Sequence, residues 1–441
     1  MQNVDTIIHA RWIIPVEPDN CIYDSHSLVI HQGKIVDILT TERCQKKYQG
    51  QAEHNLSRHA LIPGLINTHT HAAMTLMRGM ADDLPLMQWL SEHIWPAEEK
   101  CVDYQFVKDG SDLAIAEMLR GGTTTFNDMY FFPDATAKAA EEAGIRVSLG
   151  LIMIDFPSAW ANDSDDYLHK GLQLHEQYRH HPLISTAFAP HAPYSVSNGS
   201  LEKIKTYAEK LDIPVHIHLH ETRDEVQQAI TNTKMRPMAR LEKLGLLSPL
   251  LIAVHMTQLE ADEIKLIKRY GVNVVHCPES NLKLASGFCP ISELVKNNIN
   301  IAIGTDGAAS NNDLDMLSEM KTAALLAKAV SSDASAIPAH TALKMATLNG
   351  AKALGLDDIT GSLKKGKAAD IVAINLDCIE TQPLYQPISQ IVYSSSRSQI
   401  SDVWVQGKHL LNQRKLTTLD EQQLKLKAQD WERKIFLEVE N

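Results

Sequence analysis

Residues 214–225, PVHIHLHETRDE, set His216, His218 and His220 at alternate positions and follow them with Glu221. A period of two fits a β-strand, on which residues i, i+2 and i+4 share a face. Burying such a polar stripe is costly unless something satisfies it. A lone histidine in this position reads as a hydrogen-bonded structural group, but three in register with partners elsewhere read as ligands. His69-Thr70-His71 repeats the spacing, and a His-x-His pair on a strand offers two nitrogens to one side, a grip suited to zinc or iron. His255 and Asp306, the latter within GTDGAASNN, extend the set of imidazole and carboxylate donors. A donor set without thiolate points to a catalytic metal, whose open position holds a water with a pKa lowered to near neutral. Alternation alone leaves open which of His216, His218 and His220 would bind.

Other metal patterns fail. HEQYRHH (175–181) has Arg179 where HExxH needs its second histidine, and it lies in a polar helical stretch that reads as a solvated face. The PCxxC signature of one class of zinc deaminase is absent. Cys277 and Cys289 read as buried thiols.

These residues need elements to bring them together. From about residue 61 to 330, strand-like apolar runs alternate with longer helical patterns. The runs are ALIPGLINTHTH, GTTTFNDM, IRVSLGLIMI, ISTAFAPHAPYS, PVHIHLHE, LLIAVHM, GVNVVHCPESN and NIAIGTDG, eight in all. Segments such as DLAIAEMLRG and LEKIKTYAEKL separate them. Eight strand–helix units predict a (β/α)8 TIM-type barrel, whose strands are buried on both faces and therefore nearly continuously apolar. An open doubly wound sheet is the alternative, but no Gly-rich phosphate turn follows an early strand. The unusual polar residues fall at strand ends, which converge on one mouth in a parallel barrel. A helical pattern near 339–355 closes this region. Short β patterns before residue 60, and again in ADIVAINL, QIVYSSS and ISDVWVQGKHLL, predict a small β-sandwich built from the two ends. The expected division is residues 61–360 for the barrel, and 1–60 with 361–441 for the sandwich.

Bulk properties narrow the function. The 441 residues carry 42 basic and 54 acidic side chains, a net charge of −12, and 44% are hydrophobic. That field disfavours nucleic acid and anionic membrane, so a small-molecule substrate is expected. Six cysteines without a CxxC pair suit a reduced, cytoplasmic chain. The N-terminus lacks signal-peptide features, and no apolar run reaches the roughly 18 residues of a membrane span.

PGLINTHTHAAMTLMRG, HLHET and GTDGAASNN together resemble the amidohydrolase superfamily, and within it the 5-methylthioadenosine/S-adenosylhomocysteine deaminases. The similarity runs over almost the whole chain. It implies one divalent metal per subunit, zinc by preference, held by His69, His71, His218 and Asp306. ISTAFAPHAPYS contains no Lys, which matches the one-metal subtype, and His216 and His220 then support the site by packing. The resemblance further implies that activated water attacks the purine carbon bearing the amine. Asp306 shuttles its proton, His255 orients the water, and Glu221 protonates the adjacent ring nitrogen. Three residues beyond His218, Glu221 is off the histidine face of an ideal strand, so it must sit where strand gives way to loop. Capping the next helix is its plainer alternative. By the same resemblance Glu98 accepts the ribose hydroxyls, His191 contacts the nucleoside and Trp89 walls the purine pocket. Some relatives grip the distal part of the substrate with Arg after the third strand. Here DFPSAWANDSDDYLHKG has no Arg and four Asp, which favours a methylthio nucleoside or adenosine over a carboxylate-bearing tail. A homo-oligomer, dimer or tetramer, is common in this group. Two other functions stay in view: a deaminase or hydrolase of another heterocycle (guanine, cytosine, triazine) at the same site, and a barrel that has lost catalysis and serves as a scaffold.

Overall fold

The computed structural model describes residues 1–439. Four strands open the chain: β1 (Gln2–Ile13), β2 (Tyr23–His31), β3 (Lys34–Thr40) and β4 (Tyr48–Pro63). Eight barrel strands follow, β5 (Leu65–Thr70), β6 (Thr123–Asp128), β7 (Arg146–Met153), β8 (Ile184–Pro190), β9 (Val215–Leu219), β10 (Leu251–His255), β11 (Asn273–His276) and β12 (Ile301–Ile303). Each matches one of the runs read from the sequence. They lie in chain order, every neighbouring pair parallel. All residues of β5, β6, β7 and β9 to β12 are buried, as expected when helices cover the outside and side chains fill the inside.

Closure between the last and first strands runs through side chain and loop. Thr68 Oγ1 donates to Ile303 O (2.6 Å), and Asp306 N donates to His69 O (3.0 Å). Gly304 permits this approach, since a Cβ there would stand 2.7 Å from His69 N.

The second layer is one mixed sheet. β13 (Ile371–Asn375), β14 (Ile400–Val405), β15 (Lys408–Asn412) and β16 (Lys415–Leu416) join β1 to β4 in the order β16-β15-β14-β13-β4-β1-β2-β3. The sheet curls over a core of Ile8, Leu28, Ile35, Leu61, Ile371 and Trp404, and Ile35 N reaches Lys367 O at 2.9 Å. The N- and C-terminal segments thus build it jointly, with β4 passing through Gly64 directly into β5.

QIVYSSS departs from expectation: it lies in and just after a helix, Pro387–Tyr393. Pro387 at its first turn supplies a preset φ, and Ile388, Ile391 and Val392 recur at helical spacing on the buried face. A second helix, Glu421–Val439, straps back across the barrel: Lys427 Nζ and Trp431 Nε1 both reach the Asp109 carboxylate, at 2.6 and 3.1 Å.

Arg146 on β7 and Asp370 pair between the two layers at 3.1 Å, with side chains 3% and 0% exposed. Removing one partner strands a buried charge. Asp370→Ala is therefore expected to cost about 3–5 kcal/mol in chemical denaturation. The double variant with Arg146→Met should recover much of that loss, because no charge is left unpaired. Equal instability of both variants would contradict this account.

Candidate metal centre and surrounding pocket

His69, His71, His218 and Asp306 meet at the mouth of the barrel, each offering one ligand atom, with all four atoms within 4.8 Å of one another. Asp306 Oδ1 lies 3.2 Å from both His69 Nε2 and His71 Nε2, and His218 Nε2 lies 3.2 Å from His69 Nε2. Four N/O ligands about 2.1 Å from one tetrahedral ion stand about 3.4 Å apart, so the spacing fits a single cation.

Hydrogen bonds behind the ligands aim them. His71 Nδ1 donates to Met129 O (2.5 Å) and His218 Nδ1 to His191 O (2.7 Å). Carbonyls only accept, so each of these rings carries a proton on Nδ1 and turns its Nε2 toward the centre. His69 Nδ1 is engaged by His216 Nε2 at 3.1 Å. Burial lowers His69 to about 4 and drives His218 well below the ordinary imidazole range, so both are neutral donors. Asp306 is held well below the carboxylate range: burial opposes this, but hydrogen bonds and charge from His69 and His71 outweigh it. Ser280 Oγ and Ser310 Oγ donate to its Oδ2 at 2.7 and 2.9 Å, and Gly307 N to Oδ1 at 2.8 Å. Three imidazole nitrogens converging on a carboxylate oxygen at this spacing could hold a cation.

Backbone strain places two of these groups. Asp306 (φ 65°) and His255 (φ 74°) adopt the left-handed conformation just where their strands end. For non-glycine residues this costs of the order of 1 kcal/mol or more and is tolerated where surrounding structure enforces it.

The same device separates the three histidines of the opening motif. His216 and His218 lie within β9 and point into the barrel, one behind His69 and the other at the centre. His220 lies beyond the strand at φ 54°, and its ring turns away: Nδ1 to Gln258 O (3.2 Å), Nε2 accepting from Met238 N (3.1 Å). The expectation of three imidazoles on one face fails for His220, because pleated alternation stops at Leu219.

That break also swings Glu221 into the pocket, where its Oε2 lies 3.8 Å from His255 Nε2. Burial raises the Glu221 pKa, His255 opposes, and Asp306 adds to the rise. Glu221 does not cap the next helix. Thr222 does so through its side chain, while Glu225 accepts from the backbone N–H of His220 and Glu221. His255 is held through Nδ1 by Asn281 Oδ1 at 2.9 Å.

A cavity of about 850 Å³ opens over this centre. Glu98, His191 and Trp89 all line it. Trp89 is anchored by Nε1 on Ala81 O (3.1 Å). His191, lowered to about 3 by burial and then by His71 and His69, is neutral, its Nδ1 against Ser195 Oγ at 2.9 Å. Glu98 is pushed up to about 7 by burial, against the lowering effect of Tyr130, whose phenol donates to Oε1 at 2.7 Å. Tyr130, Ser280 and Asn281 were not singled out from the sequence. No pattern in one chain marks them, because each is defined by what it touches. Among the described residues no Lys or Arg lines the cavity. Of the four Asp after β7, Asp155 binds Ser197 N and Ser200 Oγ, Asp163 caps helix Ser164–Tyr178, and Asp165 and Asp166 pair with Lys203 and Lys170. They are consumed structurally, so Phe156, Pro157, Ser158 and Ala159, rather than a field of free carboxylates, line this side of the cavity.

Residues 60–410 match the amidohydrolase family. A 5-methylthioadenosine/S-adenosylhomocysteine deaminase of Teredinibacter turnerae is 49% identical over 432 residues, covering 98% of each chain. One from Saccharophagus degradans is 50% identical over 431 residues, covering 98% of this chain and 97% of its own. Among solved structures, an adenosine deaminase from Xanthomonas campestris with bound zinc superposes with a TM-score of 0.98 at 50% identity, covering 99% of both chains.

Proposed function

Because the chain belongs to the amidohydrolase family, we propose that it is a zinc-dependent aminohydrolase that converts an adenine nucleoside and water into the inosine-type nucleoside and ammonia. The observation that carries this reading is the convergence of three aimed imidazoles and Asp306 beside the buried carboxyl of Glu221. His69, His71, His218 and Asp306 hold the cation. When bound, the cation supplies Lewis acidity that brings a water toward ionisation at neutral pH.

The protein's own groups do the rest. Glu221, whose pKa burial raises, donates a proton to the purine ring nitrogen next to the reacting carbon. His255, with its proton on Nδ1 toward Asn281, presents Nε2 as an acceptor that orients the water. Asp306 takes the water's proton and returns it to the departing amine. At the far end Glu98 accepts the ribose hydroxyls, His191 contacts the nucleoside, and Trp89 forms one wall of the purine pocket. The test is ammonia release from a nucleoside panel; turnover of guanine or a triazine with no turnover of adenosine-type substrates would favour the other heterocycle reading. Glu98→Gln separates the two as well, since intact nucleoside turnover would mean that no diol is read there.

The 5′ end would face Phe156, Pro157, Ser158 and Ala159, and among the described residues no Lys or Arg lines the cavity. A homocysteine carboxylate placed there would be desolvated without a partner. The kcat/KM for 5′-methylthioadenosine is expected to exceed that for S-adenosylhomocysteine by at least about tenfold. A preference for S-adenosylhomocysteine sinks this inference. The division into a barrel (61–360) and a small unit (1–60 with 361–441) is likewise our reading, as is assembly into a homo-oligomer, dimer or tetramer, which light scattering tests. No helix among the described residues is long and apolar enough to cross a membrane. All six cysteines are unpaired, which supports a reducing cytoplasmic setting.

A further inference from the structure

Glu98 sits on the cavity wall with one carboxylate oxygen engaged, and its partner is a residue with no part in the chemistry above. Tyr130 is 5% exposed and donates its phenol proton to Glu98 Oε1 at 2.7 Å. Among the described residues no Lys or Arg lines the cavity to orient this carboxylate instead. A glutamate turns about several side-chain torsions, and a hydrogen bond to a phenol packed in the core removes much of that freedom.

Tyr130 is anchored by the same short segment that serves the metal end. Asp128 accepts from Thr70 Oγ1 (3.0 Å), Ala72 N (2.7 Å) and Thr136 Oγ1 (3.1 Å), which holds the turn after β5. Met129 O accepts from His71 Nδ1 at 2.5 Å. Three consecutive residues, Asp128, Met129 and Tyr130, therefore tie His71 and Glu98 into one frame.

We propose that Tyr130 is a positioning residue for the sugar: it fixes Glu98 so that its remaining acceptor sites meet both hydroxyls of a cis-diol, and it sets the span from that diol to the reacting purine carbon. A diol offers two donors and a carboxylate has about four acceptor positions, so the phenol and both hydroxyls are accommodated together. The inference rests on the reading of Glu98 as the diol acceptor. A Tyr130 that merely fills the core, its ring against Phe131 at 5.5 Å, would serve all substrates alike.

Tyr130→Phe tests this by removing one oxygen and keeping the ring. Loss of this hydrogen bond predicts a KM for 5′-methylthioadenosine raised about tenfold, with kcat changed less than about threefold. With 2′,3′-dideoxyadenosine, which lacks the diol, neither constant should move, and bound metal should stay at the wild-type level. An unchanged KM for the diol substrate, an equal loss on both substrates, or loss of metal each overturns the proposal. Glu98→Gln locates a failure. If it leaves the preference for the diol intact, the Glu98 reading itself is wrong and the inference falls with it. If it erases that preference while Tyr130→Phe does not, only the role of Tyr130 falls.

Discussion

Glu221→Gln lowers kcat for nucleoside deamination by about 10²–10⁴-fold while metal content is unchanged, the range expected for loss of a positioned general acid. The substitution keeps the shape and still lets the side chain hydrogen-bond to the ring nitrogen, but an amide cannot release a proton there. Burial is the first cause of the raised Glu221 pKa, and the charge of Asp306 adds to it against the attraction of His255. Glu221 is not among the four residues proposed to hold the cation, so metal analysis separates the acid role from a coordinating one. Steady-state kinetics with parallel metal stoichiometry decides the matter. A Gln variant with near-normal kcat would falsify the assignment.

Removing the cation should have an effect at least as large. Dialysis against a chelator is expected to bring deamination to the background rate, and added zinc to restore it. Asp306→Asn and His218→Asn should each impair both metal retention and turnover, because the first removes the carboxylate charge and the second one of three aimed imidazoles. Binding only to the folded chain stabilises it by about 2.7 kcal/mol at a free ion concentration of one hundred times Kd, so Tm should also fall on removal. Full activity in metal-free protein would defeat the proposal. A protein that arrives without metal and gains no activity from zinc would instead be the scaffold considered at the outset.

Some features of the site were legible without coordinates because they are written in local periodicity. Eight buried strands announce themselves as short apolar runs, and the unusual polar groups stand at their C-terminal ends. His69, His71, His218 and Asp306 could be nominated from spacing and resemblance. Glu221 could be placed at a strand-to-loop transition, since position i+3 leaves the face that i and i+2 share. QIVYSSS misled because an isolated stretch of β-branched residues carries the same local signal in a strand and in a buried helix turn. There the helix is started by Pro387 and stabilised by packing of Ile388, Ile391 and Val392.

The amino-acid order alone determined the barrel, the joint use of both chain ends in a small β unit (expected as a sandwich, found as one mixed sheet), and the inventory of donors, because alternation and apolar length act over a few neighbouring residues. Only the tertiary structure decided which histidine faces the cation and which turns away, that Thr222 and Glu225 rather than Glu221 serve the following helix, and that Tyr130 stands behind Glu98. Those outcomes hang on left-handed residues at strand ends and on contacts between segments far apart in sequence. Such contacts arise when strands close into a ring, and no local pattern encodes where they will meet.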